Sequence, residues 1–261
     1  MGVVNLTPDS FSDGGRLPDL ASGLAHARGL IAAGADILDI GGESTRPGAE
    51  PVAETEELAR TLPLIAAVRA ESAIPLSIDT FKPGVARAAV GAGAQIWNDV
   101  TALRGAPDSP DVAAELGCDV VLMHMQGEPR TMQASPAYDD VVAEVAEFLA
   151  ARAEAAMAAG VAREKIWLDP GVGFGKSLVH NLAILAHLDR IVILGFPVLL
   201  GVSRKSFIHK LDKTAADPAD RLGGSLAAAL AGARAGVAAL RVHDVRETVQ
   251  ALTVEAAIRR A

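Results

Sequence analysis

The stretch IWLDPGVGFGK at residues 166–176 decides the fold. Ile166, Trp167 and Leu168 make a short apolar run, which reads as a strand covered on both faces. Asp169 stands at the carboxyl end of that run, and a glycine-rich turn then carries the chain through Lys176 toward a helix. Strand, acid, loop and helix in that order are the plan of a site built on a parallel sheet.

Working outward, the same plan recurs about eight times along the chain. Residues 1–5 read as a short first strand, and apolar runs at 36–40, 75–78, 94–97, 119–123, 197–202 and 237–240 as further strands. Helical spacing covers 20–33, 54–70, 111–116, 138–159, 182–193, 219–235 and 245–258, with one more helix opening at Pro83 and ending near Gly93. Short strands alternating with longer helices predict a parallel sheet with right-handed crossovers. Eight units favour a closed α/β barrel, a (β/α)8 TIM barrel forming a single domain over residues 1–261, with a doubly wound open sheet as the alternative. No linker, low-complexity segment or charge block interrupts the alternation.

Composition narrows the function. The 261 residues are 50% hydrophobic but only 3% aromatic, so the core is built from Ala, Val, Leu and Ile, as suits helices packed closely on a sheet. A net charge of −8 argues against nucleic acid or an anionic membrane as partner, because both require a positive face. No apolar run approaches the length needed to span a bilayer. The lone cysteine, Cys118, excludes an intramolecular disulfide framework, and a cytoplasmic location is expected.

The polar residues gather at strand ends: Asn5, Asp79, Asn98, Met123, Asp169, Lys205, Arg241 and His243 all follow apolar runs. In a barrel they share one mouth. Two carboxylates beside an amide suit the donor and acceptor edge of a flat heterocycle, and a carboxylate there can offset positive charge growing on the ring. The competing reading has these acids capping the helices that follow them. Arg241 and His243 lie two residues apart, hence on one face of a strand, and with Arg204 and Lys205 they can hold a pyrophosphate in the loops after the last two strands. Asn5, Asp9 and Ser10 offer oxygen ligands of the kind that suit Mg²⁺ bound through substrate phosphates. Phe174 is a candidate wall for a flat ligand. The glycines from Gly171 to Gly175 lack the spacing of a P-loop or a dinucleotide fingerprint, and the histidines show no metal-ligand spacing.

Taken together, VNLTPDSFSDGG at 4–15, GESTRPG at 42–48, SIDT at 77–80, NDV at 98–100, MHMQG at 123–127, LDPG at 168–171 with GFGK at 173–176, SRKS at 203–206 and RVHD at 241–244 resemble the dihydropteroate synthase family of folate biosynthesis. The resemblance spans essentially the whole chain in order. It implies a transferase, a homodimer and sulfonamide target, that joins 4-aminobenzoate to 6-hydroxymethyl-7,8-dihydropterin pyrophosphate and releases pyrophosphate. Carried over by position, Asp79, Asn98, Met123, Asp169, Phe174 and Lys205 bind the pterin, with Asp79, Asp169 and Lys205 catalytic. Asn5, Arg46, Arg241 and His243 hold pyrophosphate, with Asn5 on Mg²⁺, while Thr45, Pro47 and Ser203 lie near 4-aminobenzoate. The chemistry expected is a substitution of dissociative character, which agrees with the absence of a nucleophile matched to a base. The polar loops at 6–16 and 43–51 are expected to order once pyrophosphate is present. Members of that family carry a short extension ahead of the first strand, so the resemblance implies a shortened amino terminus that affects stability more than chemistry. Rival readings are a corrinoid methyltransferase-like pterin barrel, which has no use for a basic pyrophosphate cluster, and a non-catalytic pterin-binding relative.

Overall fold

The computed structural model describes residues 1–6, 20–44, 48–128 and 131–261. Within them the expected alternation holds: β1 (Gly2–Asn5), α1 (Leu20–Ala32), β2 (Leu38–Gly41), α2 (Glu54–Glu71), β3 (Leu76–Asp79), α3 (Pro83–Gly91), β4 (Ile96–Asp99), α4 (Ser109–Leu116), β5 (Asp119–Met123), α5 (Val141–Ala158) and β6 (Ile166–Asp169). There follow α6 (Leu178–Ala186), α7 (Asp189–Val192), β7 (Leu199–Gly201), α8 (Ser206–Leu211), α9 (Leu222–Ala235), β8 (Ala239–Arg241) and α10 (Val245–Ile258). Strands β1 to β6 pair in parallel in sequence order, and β7 pairs with β8. Parallel bridges from Leu168 to Val198 and from Gly2 to Val242 join the two groups, closing a (β/α)8 barrel.

The strands read as continuous apolar runs because both of their faces are covered. Outward residues such as Leu38, Ile40, Ile78, Val120, Leu122, Ile166 and Leu200 are almost fully buried under helix side chains that include Leu64, Ile65, Val85 and Ala89. Inward residues, taken at every second position, form layers. Ile96, Val121 and Leu199, with Met1, Ile37, Trp167 and Ala239, plug the lower end with hydrocarbon. Above that plug, Asp39, Ser77, Asp79, Asn98 and Asp169 are all buried, so the interior turns polar toward the carboxyl ends.

Helix boundaries moved most where capping overrode periodicity. The helix expected at 182–193 starts earlier, at Leu178, because the Ser177 hydroxyl accepts from the His180 amide and the His180 ring accepts from the Ser177 amide, a capping box without its usual glutamate. It also breaks at His187, whose φ of −127° leaves the helical region, and α7 restarts beyond it. The helix expected at 219–235 begins instead as a 3-10 turn, Pro218–Arg221, capped by Asp217. Sequence periodicity missed α8, which has only 6 residues.

Candidate active site

Asp79 ends β3 and Asn98 is its register partner on β4, so the pleat puts both side chains inside the barrel. One turn lower, Asp39 of β2 is fully buried, and Asn98 Nδ2 donates to its Oδ2 at 3.3 Å. Arg241, at the end of β8, donates through Nε to Asp39 Oδ2 at 2.6 Å and through Nη2 to Asp79 Oδ2 at 2.7 Å. Burial pushes the Asp79 carboxyl up to about 7, with Arg241 opposing that rise and Asp39 reinforcing it. For Arg241, burial works against the charge, but the two carboxylates outweigh it and hold the guanidinium ionised.

Asp169 ends β6 and accepts from the Gly171 amide at 2.7 Å. Its carboxyl is raised by burial, partly offset by that hydrogen bond and then by Lys205. Lys205 follows β7, and its ammonium lies 4.2 Å from the centre of the Phe174 ring. Burial lowers it to about 8 against the pull of Asp169. Neither Asp79 nor Asp169 caps a helix: α3 is preceded by Lys82 and α6 is capped by Ser177. The capping interpretation of these acids is therefore removed by the geometry.

An apolar wall stands beside this polar floor. Val100, Met123, Met125 and Met132 form one buried cluster, with Phe81 and Phe174 packed against it. Met123 and Phe174 are legible in the sequence as pocket residues; Phe81, Val100, Met125 and Met132 are not, because they sit on irregular segments with no period to follow. Asp39 also escaped the sequence reading, although an acid within an apolar strand run is itself a signal.

His243 and Ser203 meet, with His243 Nδ1 3.0 Å from Ser203 Oγ and the His243 amide donating to the same oxygen at 3.1 Å. Burial first, then Arg241, lowers His243 to about 3, so the ring is neutral. Arg204 departs from the expected basic cluster. Its guanidinium is taken by Asp244, at 3.0 Å and 2.5 Å, and its backbone adopts φ 59°, held by Ser225 Oγ and by Arg221. It shapes the turn that presents Lys205 instead of offering a free charge.

Two glycines of the turn approach the protein's own backbone. A Cβ on Gly171, at φ 65°, would lie 1.9 Å from the carbonyl oxygen of His124, and one on Gly175, at φ 59°, would lie 2.3 Å from that of Gln126. The turn is packed on the segment after β5, and Phe174 stands half-buried at its rim.

Asn5 ends β1 and shares the inward face with Gly41, its register partner. No cluster of three His, Cys, Asp or Glu side chains able to hold a metal occurs among the described residues. A single amide oxygen at the mouth fits Mg²⁺ that keeps its waters and is held chiefly by substrate phosphates, and fits no ion needing a protein cage. Thr45, Arg46 and Pro47, the candidate ligands Asp9 and Ser10, and most of the loop at 6–16 lie outside the described residues.

A family model described as a pterin binding enzyme matches residues 1–243. A dihydropteroate synthase of Escherichia coli is 48% identical over 254 residues, covering 97% of this chain and 89% of that protein. The chain belongs to the dihydropteroate synthase family. Among solved structures of the family, that of Yersinia pestis with a sulfonamide drug superposes with a TM-score of 0.94 at 45% identity, covering 100% of this chain and 94% of the other. The enzyme of Xanthomonas albilineans with 4-aminobenzoic acid gives 0.93 at 52% identity, covering 100% and 92%. Dihydropteroate synthases thus share this chain's barrel from end to end.

Proposed function

We propose that this chain joins 4-aminobenzoate to 6-hydroxymethyl-7,8-dihydropterin pyrophosphate, giving 7,8-dihydropteroate and pyrophosphate, as one pterin-binding barrel domain over residues 1–261. The observation that carries the reading is the joint packing of Asp39, Asp79, Asn98, Asp169, Lys205 and Arg241 beside a methionine and phenylalanine wall. Such a site takes one face of a flat ring on hydrocarbon and its polar edge on fixed donors and acceptors. Asn98, Asp169 and Lys205 read the pterin edge, and Met123 and Phe174 cover its face.

The C–O bond to pyrophosphate breaks with its electron pair leaving on oxygen, and the methylene carbon becomes cationic. Asp79 and Asp169 offset that charge from positions already fixed. The lone pair of the 4-aminobenzoate amine then forms the C–N bond, and the amine proton leaves to solvent or to the departing pyrophosphate. Asn5, Arg46, Arg241 and His243 hold pyrophosphate, and Thr45, Pro47 and Ser203 line the 4-aminobenzoate side. Because Arg241 reaches both Asp39 and Asp79, gripping pyrophosphate exchanges one of those contacts for a phosphate oxygen. Mg²⁺, held by Asn5 and the substrate phosphates, supplies further neutralisation of the leaving group when bound.

A cytoplasmic setting belongs to the same proposal: burial pushes the lone thiol, Cys118, up to about 11, which keeps it an inert core side chain. No helix among the described residues is long and apolar enough to cross a membrane. The homodimer belongs to it as well. The small residues Ser225, Ala228, Ala229 and Gly232 of α9 are buried within the subunit. Val179 in α6 and Ile193 after α7, 72% and 81% exposed, are the most exposed large apolar side chains among the described residues and are the ones offered to a second subunit.

Pyrophosphate release from the pterin substrate tests the reaction. Release should require Mg²⁺ and yield dihydropteroate when 4-aminobenzoate is present. No release under any combination would sink the reading.

A further inference from the structure

Lys176 is the one charged side chain of the glycine turn, and the mechanism above makes no use of it. It is fully buried. Its ammonium lies 3.0 Å from the carbonyl oxygen of Gly171, 3.1 Å from that of Phe174 and 2.9 Å from His124 Nδ1. These three nearest acceptors match the three donors of an ammonium, and the His124 carbonyl oxygen lies farther off at 3.4 Å. His124 is buried too, and burial, followed by the charge of Lys176, lowers its ring to about 3, so that Nδ1 is free to accept. The Phe148 ring stands edge-on to His124 with centroids 4.8 Å apart and fixes its plane.

Three other carbonyls of the turn are also taken. Gln133 Nε2 donates to Gly173 O at 2.5 Å, Tyr138 Oη to Gly175 O at 2.7 Å, and Asn181 Nδ2 to Lys176 O at 3.3 Å. Among the described residues, Lys176 is the charged side chain that bonds the turn to the segment after β5. Phe174 is on one side of that tie, and Met123 and Met125 flank His124 on the other. These three side chains, with Met132, are the apolar wall of the ring pocket.

We propose that Lys176, acting through His124, is a positioning residue for the pterin: it holds the two halves of the ring-binding wall at their working separation. This rests on the function proposed above and adds a residue that touches no substrate. A buried ammonium is a costly staple, and burial lowers Lys176 to about 7 even with Asp169 drawing it up. Replacing it with methionine leaves the Gly171 and Phe174 carbonyls and His124 Nδ1 without a donor, so stability falls whatever its role. A lysine that also sets the width of the pocket changes pterin affinity in the folded variant as well.

The test compares Lys176→Met, His124→Leu and His124→Asn with the unsubstituted enzyme. Pterin pyrophosphate affinity is measured by calorimetry, alongside kcat and both KM values. Lys176→Met and His124→Leu should each weaken pterin affinity and raise its KM by about tenfold or more, since a misplacement of roughly 1 Å is enough for such a loss. The KM for 4-aminobenzoate should stay within about twofold, and His124→Asn, which keeps an acceptor, should recover most of the loss. If both deleting variants fold and bind pterin normally, or lower kcat with both KM values unchanged, the positioning role is wrong. If neither folds, the pair is structural and the proposal falls. Should the parent bind pterin without turning it over, the reaction reading fails while calorimetry still scores the staple; a parent that binds no pterin overturns both.

Discussion

Asp169 has one oxygen on the Gly171 amide and faces the Lys205 ammonium, while Arg241 stands over Asp79 instead. In the proposed site the phosphate-gripping and ring-reading tasks fall on different side chains. Replacing Asp169 with Asn should weaken pterin binding by about 2 kcal/mol, the scale of a lost hydrogen bond to a charged group. Pyrophosphate affinity, measured separately by calorimetry, should barely move; equal losses would count against the division of labour. Gly171→Ala has a different origin. Its Cβ would overlap the His124 carbonyl at 1.9 Å and its φ is already 65°, so the turn must lift off the segment after β5. A stability loss of about 3 kcal/mol or more is expected from urea unfolding, as for other substitutions that force a close backbone contact apart.

At the scale of elements, the root of the loop at 43–51 is clamped by charge. Lys82, at the start of α3, pairs with Glu43 just after β2 and with Glu57 of α2 at 2.5 Å. Glu43 also accepts from the Val52 amide at 3.3 Å, across the base of the loop. Glu57 is fully buried, and burial raises its carboxyl despite Lys82. Lys82→Met would leave both carboxylates without their partner, and the expected cost is about 3–5 kcal/mol. Thermal or urea unfolding measures it, and a loss under about 1 kcal/mol would show that solvent reaches the pair freely. Asp99, the last residue of β4, does a similar task through hydrogen bonds: it accepts from the Thr101 and Leu103 amides and holds Ala102 and Leu103 at positive φ.

Across the whole molecule, buried titrating groups pull stability in opposite directions with pH. His124 and His243 are lowered from 6.5 to about 3. As the pH falls through 6.5 the unfolded chain binds protons that the fold refuses, so the stability they contribute above that value is lost toward pH 3. Asp79 and Asp99, raised to about 7 and about 6, act the other way, because the folded carboxyls protonate before the unfolded ones. The difference between parent and His243→Gln isolates one histidine. Its urea midpoint should fall less steeply across the acid window, and parallel curves would mean that the ring charges without penalty. Assembly is read at the same scale: sedimentation should show a dimer, and Ile193→Asp, at a site 81% exposed, should shift it toward monomer while leaving the barrel folded.

Strand, acid and loop recurring about eight times, each strand apolar on both faces, sufficed to predict a parallel sheet, to favour a barrel over an open sheet, and to place Asn5, Asp79, Asn98, Asp169 and Arg241 at strand ends that share one mouth. That much is legible because period and strand-end position are local properties of the chain. The stretch at 166–176 also placed Asp169 at the end of a buried strand, where the structure has it, and Phe174 in the turn that follows. Tertiary structure alone decided which charges meet. Arg241 and Asp39 are 202 residues apart, and Lys176 and His124 are 52 apart. Such pairs are set by barrel closure and by a glycine turn pressed on a neighbouring backbone, and neither leaves a period in the sequence. For the same reason Arg204, adjacent in sequence to Lys205, went to Asp244 and left the basic cluster: a left-handed residue in the turn, not composition, directs its side chain.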